Sequence, residues 1–475
     1  MTRILSVTSE CVPFVKTGGL ADVAGALPGA LAPLGHEMRT LLPGYPAVLK
    51  GLRKPQVIRE EDDLFGGPAR VLYAKSKGLM LYVVEADHLF CRSGSPYLDE
   101  SGKDYPDNPE RFAALSWVAM LLARDGADDW SPDVVHVHDW QGGFAPYYLK
   151  KNEVDVPSVL TIHNIAFHGL APADRLRALR LDPADFTQTG FEYWGQIGAL
   201  KAGLQYATAL TTVSPTYARE LTTPEFGMGL DGVLRGRSGD LSGILNGIDL
   251  DVWDPRTDPE IVTYKTPRGK GRAKARLRKE FGLPDAEGPL AVVVSRLSHQ
   301  KGLDLLLEAL PAFVDCGGQL AVLGSGDKAL EDAFTKAAAD HSNVAVRIGY
   351  DEALSHRMMA GADAILVPSR FEPCGLTQLY GLRYGTVPVV AATGGLVDTV
   401  IPASPMALRS GVATGLQVAP LTSHALAGAL TQLTELYADV DTWAMLQSNG
   451  MRQSVGWEAS AAEYAALYDR LTDAA

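Results

Sequence analysis

A glutamate set between an apolar run and a helical pattern is the most specific chemical feature of this chain, in Pro368-Ser369-Arg370-Phe371-Glu372-Pro373-Cys374-Gly375-Leu376-Thr377. A helix starting there aims the N–H groups of Gly375, Leu376 and Thr377 at an anion, while Glu372 accepts hydrogen bonds from sugar hydroxyls. Capping of the helix start is the plainer reading of that glutamate. Cys374 has no local histidine to act as its base, so a thiolate nucleophile is not supported. In Val294-Ser295-Arg296-Leu297 followed by Gln300-Lys301-Gly302, one strand-to-helix loop carries the cations Arg296 and Lys301 beside a helix N-terminus. That placement favours phosphate over surface solvation. The loop Lys16-Thr17-Gly18-Gly19-Leu20-Ala21-Asp22 offers Gly18 and Gly19 for close backbone approach and Lys16 as a matching charge, with a plain tight turn as the alternative. It has neither the G-x-G-x-x-G fingerprint nor a Walker A pattern.

Two further strand ends carry polar groups. Val134 to His138 runs into Asp139-Trp140-Gln141, where a carboxylate beside an indole suits a sugar, with hydroxyls toward the one and an apolar sugar face on the other. A metal site at His136, His138 and Asp139 lacks an obvious remaining ligand, and His136 reads best as a satisfied core histidine. Thr161-Ile162-His163-Asn164 ends the next run, and His163 gains weight from lying in series with the other strand-end motifs. Gly394-Gly395-Leu396 after Thr393 makes a second glycine turn that echoes the first.

The elements that must hold these loops follow a βαβ pattern, a β-branched run, a glycine turn and an amphipathic helix, in two stretches. The first has strands at Ile4 to Thr8, Leu81 to Glu85, Val134 to His138, Ser158 to His163 and around Val213, with a helix over Val23 to Leu34. The second has strands at Leu290 to Leu297, Leu320 to Gly324, Val344 to Tyr350, Ala364 to Ser369 and Val387 to Ala392, with a helix over Gly302 to Phe313. The reading is α/β, with two Rossmann-like doubly wound domains facing a central cleft where the C-terminal strand ends bind ligands. The domains are expected at residues 1–243 and 244–455, with a C-terminal helix in 456–475 packing on a domain surface. The basic cluster Lys265 to Arg278 is expected to be a solvated helix or loop without chemistry.

A length of 475 residues calls for more than one core, and 46% hydrophobic with 21% charged residues is ordinary globular composition. The net charge of −13 argues against nucleic-acid and anionic-membrane partners, so an anionic ligand must be met locally. No run approaches the ~20 apolar residues that span a bilayer, and Arg3 to Ser9 is already strand-like, without a leader. Cys11, Cys91, Cys316 and Cys374 show no zinc or disulfide spacing, which fits a reducing cytoplasm.

Taken together, Lys16-Thr17-Gly18-Gly19-Leu20, His136-Val137-His138-Asp139-Trp140, Ser295-Arg296-Leu297 with Gln300-Lys301-Gly302, Arg370 to Tyr380 and Thr393 to Leu396 resemble the bacterial glycogen synthases and plant starch synthases. The likeness spans nearly the whole chain, through Gly102 to Phe112, Thr161 to Ala166, Pro224 to Gly229 and Gly243 to Trp253. It implies the GT-B fold and a retaining transfer of glucose from ADP-glucose to the 4-hydroxyl of an α-1,4-glucan, with glucan mainly on the N-terminal domain and nucleotide mainly on the C-terminal one. No carboxylate cluster suggests a bound Mg²⁺ or Mn²⁺, no cofactor is expected, and a homo-oligomer is left open. Carried over by position, Lys16, Gly18 and Gly19 meet donor phosphates or sugar, with Asp22 in the same loop, and Arg296 and Lys301 are the principal cations. Tyr350 stacks on adenine; Asp139, His163, Asn164 and Asn246 surround the transferred glucose and acceptor; Glu372 binds glucose hydroxyls. Cys374, Gly375, Leu376 and Thr377 add contacts, and Tyr97 and Trp140 line the acceptor side. Many wider relatives carry a second glutamate where this chain has Tyr380, which leaves ribose recognition unassigned. The rival readings are a glucan phosphorylase with pyridoxal phosphate and a non-catalytic two-lobed sugar-binding protein.

Overall fold

The computed structural model describes residues 1–473. The chain divides into two compact units, residues 1–247 with 457–475, and residues 248–456. The strands of the first unit are β1 (Arg3–Val7), β2 (Glu37–Pro43), β3 (Gln56–Glu61), β4 (Ala69–Ser76), β5 (Leu79–Glu85), β6 (Val134–His138), β7 (Ser158–Ile162), β8 (Leu170–Pro172), β9 (Glu192–Tyr193), β10 (Gln196–Gly198), β11 (Ala209–Thr212) and β12 (Leu241–Gly243). Those of the second are β13 (Leu290–Val294), β14 (Gln319–Gly324), β15 (Val344–Ile348), β16 (Ala364–Val367), β17 (Val387–Ala391) and β18 (Leu416–Val418).

In the second unit the sheet order is β15-β14-β13-β16-β17-β18, all parallel, so the chain moves outward one way from β13 and then reverses to the other side at β16. Parallel strands covered on both faces must be apolar throughout, and β13, Leu-Ala-Val-Val-Val, is. Its alternating side chains feed two cores: Leu290 and Val292 join Ala321, Leu323 and Ile365 on one face, while Ala291 and Val293 join Leu320, Val322 and Val389 on the other. The helix Leu303–Asp315 seats Leu306, Leu310 and Phe313, at helical spacing, in the second of these cores.

The first unit repeats the scheme in a nine-stranded sheet, β12-β11-β7-β6-β1-β2-β5-β4-β3. From β12 to β5 it is parallel, and β4 and β3 extend it antiparallel at one edge. Here the reversal lies between β1 and β6. The helix Glu458–Asp473 belongs to this unit, where Ala461, Tyr464, Leu467 and Tyr468 pack with Ile4, Val23, Leu27 and Val134. No helix among the described residues is long and apolar enough to cross a membrane.

Two local expectations need correction, and three strands have no clear signal in the sequence. The first helix spans Gly19–Leu31, starting inside the glycine loop rather than after it, because Gly18 is extended and the glycine pair supplies the first helical residue. Strands β2, β3 and β4 carry charged or polar residues that blur the period-two pattern. The basic cluster forms the helix Lys270–Phe281, but it is not simply solvated: Lys270 is buried, and its Nζ donates to the carbonyls of Met359, Ala360 and Tyr384 and to Thr386 Oγ1. All three carbonyls lie in the last turns of the helices Glu352–Gly361 and Thr377–Tyr384, where the lysine meets acceptors a helix end leaves unpaired, while burial brings its ammonium down to about 7.

Candidate active site

Ligands bind open α/β sheets at the carboxyl ends of strands where the strand order reverses. In the second unit those ends are β13 and β16, and they carry Arg296 to Lys301 and Ser369 to Thr377. The two loops are tied together. Arg370 N donates to the Gln300 carbonyl at 2.8 Å, and the Arg370 guanidinium grips both oxygens of Asp304 at 2.7 and 2.6 Å. Gly302 makes the approach feasible: its φ is +63°, and a Cβ there would lie 1.9 Å from the Pro368 carbonyl oxygen.

This clamp brings Lys301 and Glu372 together. Lys301 Nζ donates to Glu372 Oε2 at 2.6 Å, and Ser369 Oγ donates to the same oxygen at 2.7 Å. Glu372 is 8% exposed. Arg296 is exposed, and among the described residues its side chain makes no hydrogen bond or ion pair, so it is free to meet an anion. Gln378 braces the next turn, its Nε2 donating to the carbonyls of Cys374 and Gly375 at 3.1 and 2.8 Å. Leu376 precedes the helix Thr377–Tyr384 without a side-chain cap. The helix start is therefore not capped by Glu372.

The glycine turn at Gly394 and Gly395 differs from the first one. Gly395 N is engaged by the carbonyls of Glu372 and Pro373 at 3.1 Å each, and a Cβ on Gly394 would lie 2.0 Å from the Glu372 carbonyl. These glycines let one backbone lie against another and hold the Glu372 turn from behind. Tyr350, beyond β15, is 77% exposed, and its hydroxyl bonds Glu352. Tyr380, at the place of the absent glutamate, lies flat on Trp253 at 3.8 Å, and His356 covers the other face of that indole at 3.7 Å.

In the first unit the reversal places the loops after β1 and β6 side by side. Asp139 ends β6 at φ +50° and is 8% exposed. Its Oδ1 accepts from the backbone N–H groups of His163 and Asn164 at 2.6 and 3.3 Å, which joins three of the expected site residues. Burial pushes its carboxyl up to about 7, against the pull of those two N–H groups and aided by the nearby Glu10. His163 Nε2 lies 3.0 Å from His138 Nδ1, whose Nε2 lies 3.1 Å from Ser6 Oγ. Burial holds His136 and His163 well below the usual histidine range and His138 at about 3, so all three imidazoles are neutral at neutral pH. His136 is a core residue bonded to Tyr468 Oη at 2.8 Å and Thr161 Oγ1 at 2.6 Å. Among the described residues no group of histidine, cysteine and acidic side chains is arranged to hold a metal ion.

The remaining expected residues scatter around these loops. Lys16 pairs with Asp22 at 2.9 Å. Trp140 packs edge-on against Phe112 at 4.9 Å. Asn246 is buried, with an Oδ1 that has no hydrogen-bond partner among the described residues, as suits an acceptor kept for a ligand. Tyr97 is half-buried, and its hydroxyl donates to Glu10 and lies 2.7 Å from Ser9 Oγ. Glu10 was missed from sequence. The available signal was an acidic residue at the start of the loop that carries Lys16 and the glycine pair. The role of Ser369 within its motif, and the support His138 gives to His163, are legible only in three dimensions.

The family model for the starch synthase catalytic domain matches residues 3–236, and that for glycosyl transferases group 1 matches residues 274–450. The chain is 61% identical over 472 residues to a glycogen synthase of Paracoccus denitrificans, covering 99% of this chain and 100% of that one. It is 60% identical over 470 residues to a glycogen synthase of Jannaschia sp., covering 98% and 99%. Among solved structures it is similar to the catalytic domain of starch synthase IV from Arabidopsis thaliana bound to ADP and acarbose, with a TM-score of 0.89, 31% identity and 99% of both chains covered. Sucrose-phosphate synthase from Thermosynechococcus elongatus, at 20% identity with a TM-score of 0.62 and 100% of both chains covered, shares the fold.

Proposed function

The chain belongs to the glycogen synthase family, a glycosyltransferase family of GT-B fold, and from that premise we propose how its residues divide the transfer of glucose from ADP-glucose to a growing α-1,4-glucan. The unit of residues 248–456 holds mainly the donor nucleotide, and the unit of residues 1–247 with 457–475 mainly the glucan, while the Lys16 loop of the latter also meets the donor. ADP as the leaving nucleotide is supported by the ligand of the Arabidopsis starch synthase.

The observation that carries this reading is the junction of Lys301, Ser369 and Glu372 in the loops that also carry the exposed Arg296. Lys301 and Arg296 neutralise the diphosphate as its bond to the glucose C1 breaks, where negative charge grows most, so they act on the transition state more than on the bound donor. Glu372, fixed by two donors, accepts from glucose hydroxyls and orients the ring. Asp139, His163, Asn164 and Asn246 surround the glucose and acceptor, Trp140 lines the acceptor side, and Tyr350 stacks on adenine. The acceptor 4-hydroxyl forms its bond to C1 on the face the diphosphate leaves and passes its proton to the departing phosphate. The α configuration is kept without an enzyme nucleophile.

The test is ADP release from ADP-glucose with glycogen, run beside UDP-glucose and in excess EDTA. Turnover should require the glucan, favour ADP-glucose and survive chelation. Activity abolished by EDTA and restored by Mg²⁺ would show that Arg296 and Lys301 do not suffice as the cationic clamp.

A further inference from the structure

Glu10 lies in the β1 loop of the first unit, is 3% exposed, and is bonded by four donors, with the Asp139 carboxyl also nearby. Cys11 and Val15 exchange backbone hydrogen bonds at 3.1 Å each, a tight turn that folds the chain back so that Glu10 lies beside Thr17 and Gly18. One carboxyl oxygen, Oε2, accepts from the backbone N–H of Thr17 and, at 3.2 Å, from that of Gly18. The other, Oε1, accepts from Thr17 Oγ1 at 2.6 Å and from Tyr97 Oη. A buried carboxyl without such partners is costly, so the loop cannot leave Glu10 without orphaning that carboxyl.

The consequence concerns the donor. Of the successive N–H groups that the sequence offers to an anion in this loop, those of Thr17 and Gly18 are already taken by the protein's own carboxyl. What remains is the N–H of Gly19 and of Leu20, in the first turn of the helix Gly19–Leu31, where a helix leaves its N–H groups unpaired, together with the exposed Lys16, whose ammonium also pairs with Asp22 at 2.9 Å. Resting on the functional reading above, we infer that Glu10 is a positioning residue for the donor. It clasps Thr17 and Gly18 so that Lys16 and the start of the helix are held in one orientation toward the diphosphate, and Tyr97 belongs to this clasp.

Three variants test it through the Kd for ADP, the KM for ADP-glucose, the KM for glycogen and the melting temperature. Glu10→Ala removes the clasp and should weaken ADP and raise the donor KM about tenfold, with the glycogen KM little changed, while the melting temperature falls because four hydrogen bonds of a buried side chain are lost. Glu10→Gln keeps one oxygen for the two backbone N–H groups and turns its NH₂ toward two hydroxyls, which can accept as well as donate, so it should recover most of the loss. A donor KM unaltered in Glu10→Ala, or a glutamine variant as impaired as the alanine one, overturns the inference. So does a glycogen KM that rises in step with the donor KM. If Glu10→Ala does not fold, Tyr97→Phe removes one donor only and should shift ADP affinity in the same direction by a few-fold; an unchanged Kd would overturn the inference there too. Wild-type protein that releases no ADP from ADP-glucose would instead remove the functional reading on which this rests.

Discussion

Replacing Lys301 by alanine perturbs one atom with two separable consequences. Its Nζ stands 2.6 Å from Glu372 Oε2, in a pair whose side chains are 18% and 10% exposed. At an effective dielectric near 20 the gross attraction across that distance is about 6 kcal/mol, much of which the desolvation of both groups offsets. Removing the lysine leaves a largely buried carboxyl with Ser369 as its remaining side-chain donor, and the expected loss of stability is about 3 kcal/mol, at the lower end for a broken buried pair. The same change removes one fixed cation from the leaving diphosphate, which should cost roughly 3 kcal/mol of transition-state stabilisation, or about a hundredfold in kcat. Urea titration reads the first quantity, and ADP release at saturating ADP-glucose reads the second. Adding Glu372→Gln separates them. The double variant no longer orphans a charge, so most of the stability should return, whereas turnover should stay at least as low as in the single variant. A kcat within about threefold of wild type in Lys301→Ala, or turnover restored together with stability in the double variant, would refute the cationic role and leave Lys301 a purely structural partner of Glu372.

Two further outcomes follow from the geometry. The folded Asp139 carboxyl is pushed up to about 7, whereas in an unfolded chain it titrates near ~4, so the folded state binds the extra proton between those values. Its contribution to stability therefore falls as pH rises from about 4 to about 7 and is flat above. If the ionised form serves the sugar, kcat/KM should climb through about pH 7 with a limb that Asp139→Asn abolishes, and a limb that persists in that variant assigns it elsewhere. Gly302→Ala should misplace the Arg296 to Lys301 loop, because its Cβ would lie 1.9 Å from the Pro368 carbonyl at a φ of +63°; turnover and melting temperature should both fall, and a variant with wild-type kcat would contradict the tight approach.

The sequence alone determined where the chemistry sits along the chain. Apolar runs such as Leu290 to Val294 and Val134 to His138 must be buried on both faces, and a parallel sheet with helices on either side is the arrangement that satisfies their backbone, so the residues just after them fall at strand ends. That reasoning reaches Asp139, His163, Arg296, Lys301 and Glu372 because each stands next to a strand in the sequence. It could not reach contacts between loops. The pairing of Lys301 with Glu372 depends on β13 and β16 being neighbours across a reversal of strand order, and the link from His138 to His163 depends on the parallel register of β6 with β7. Two glycine turns that read alike differ for the same reason: Gly18 turns its N–H to Glu10, while Gly395 turns its N–H to the backbone behind Glu372. Lys270 shows the limit most plainly, since a lysine in a basic run resembles a solvated charge until two helix ends converge on it. Local pattern fixes which groups leave the sheet, because burial acts residue by residue along a strand; only the tertiary structure decides which of those groups meet, because hydrogen bonds and charges act across space between segments far apart in the chain.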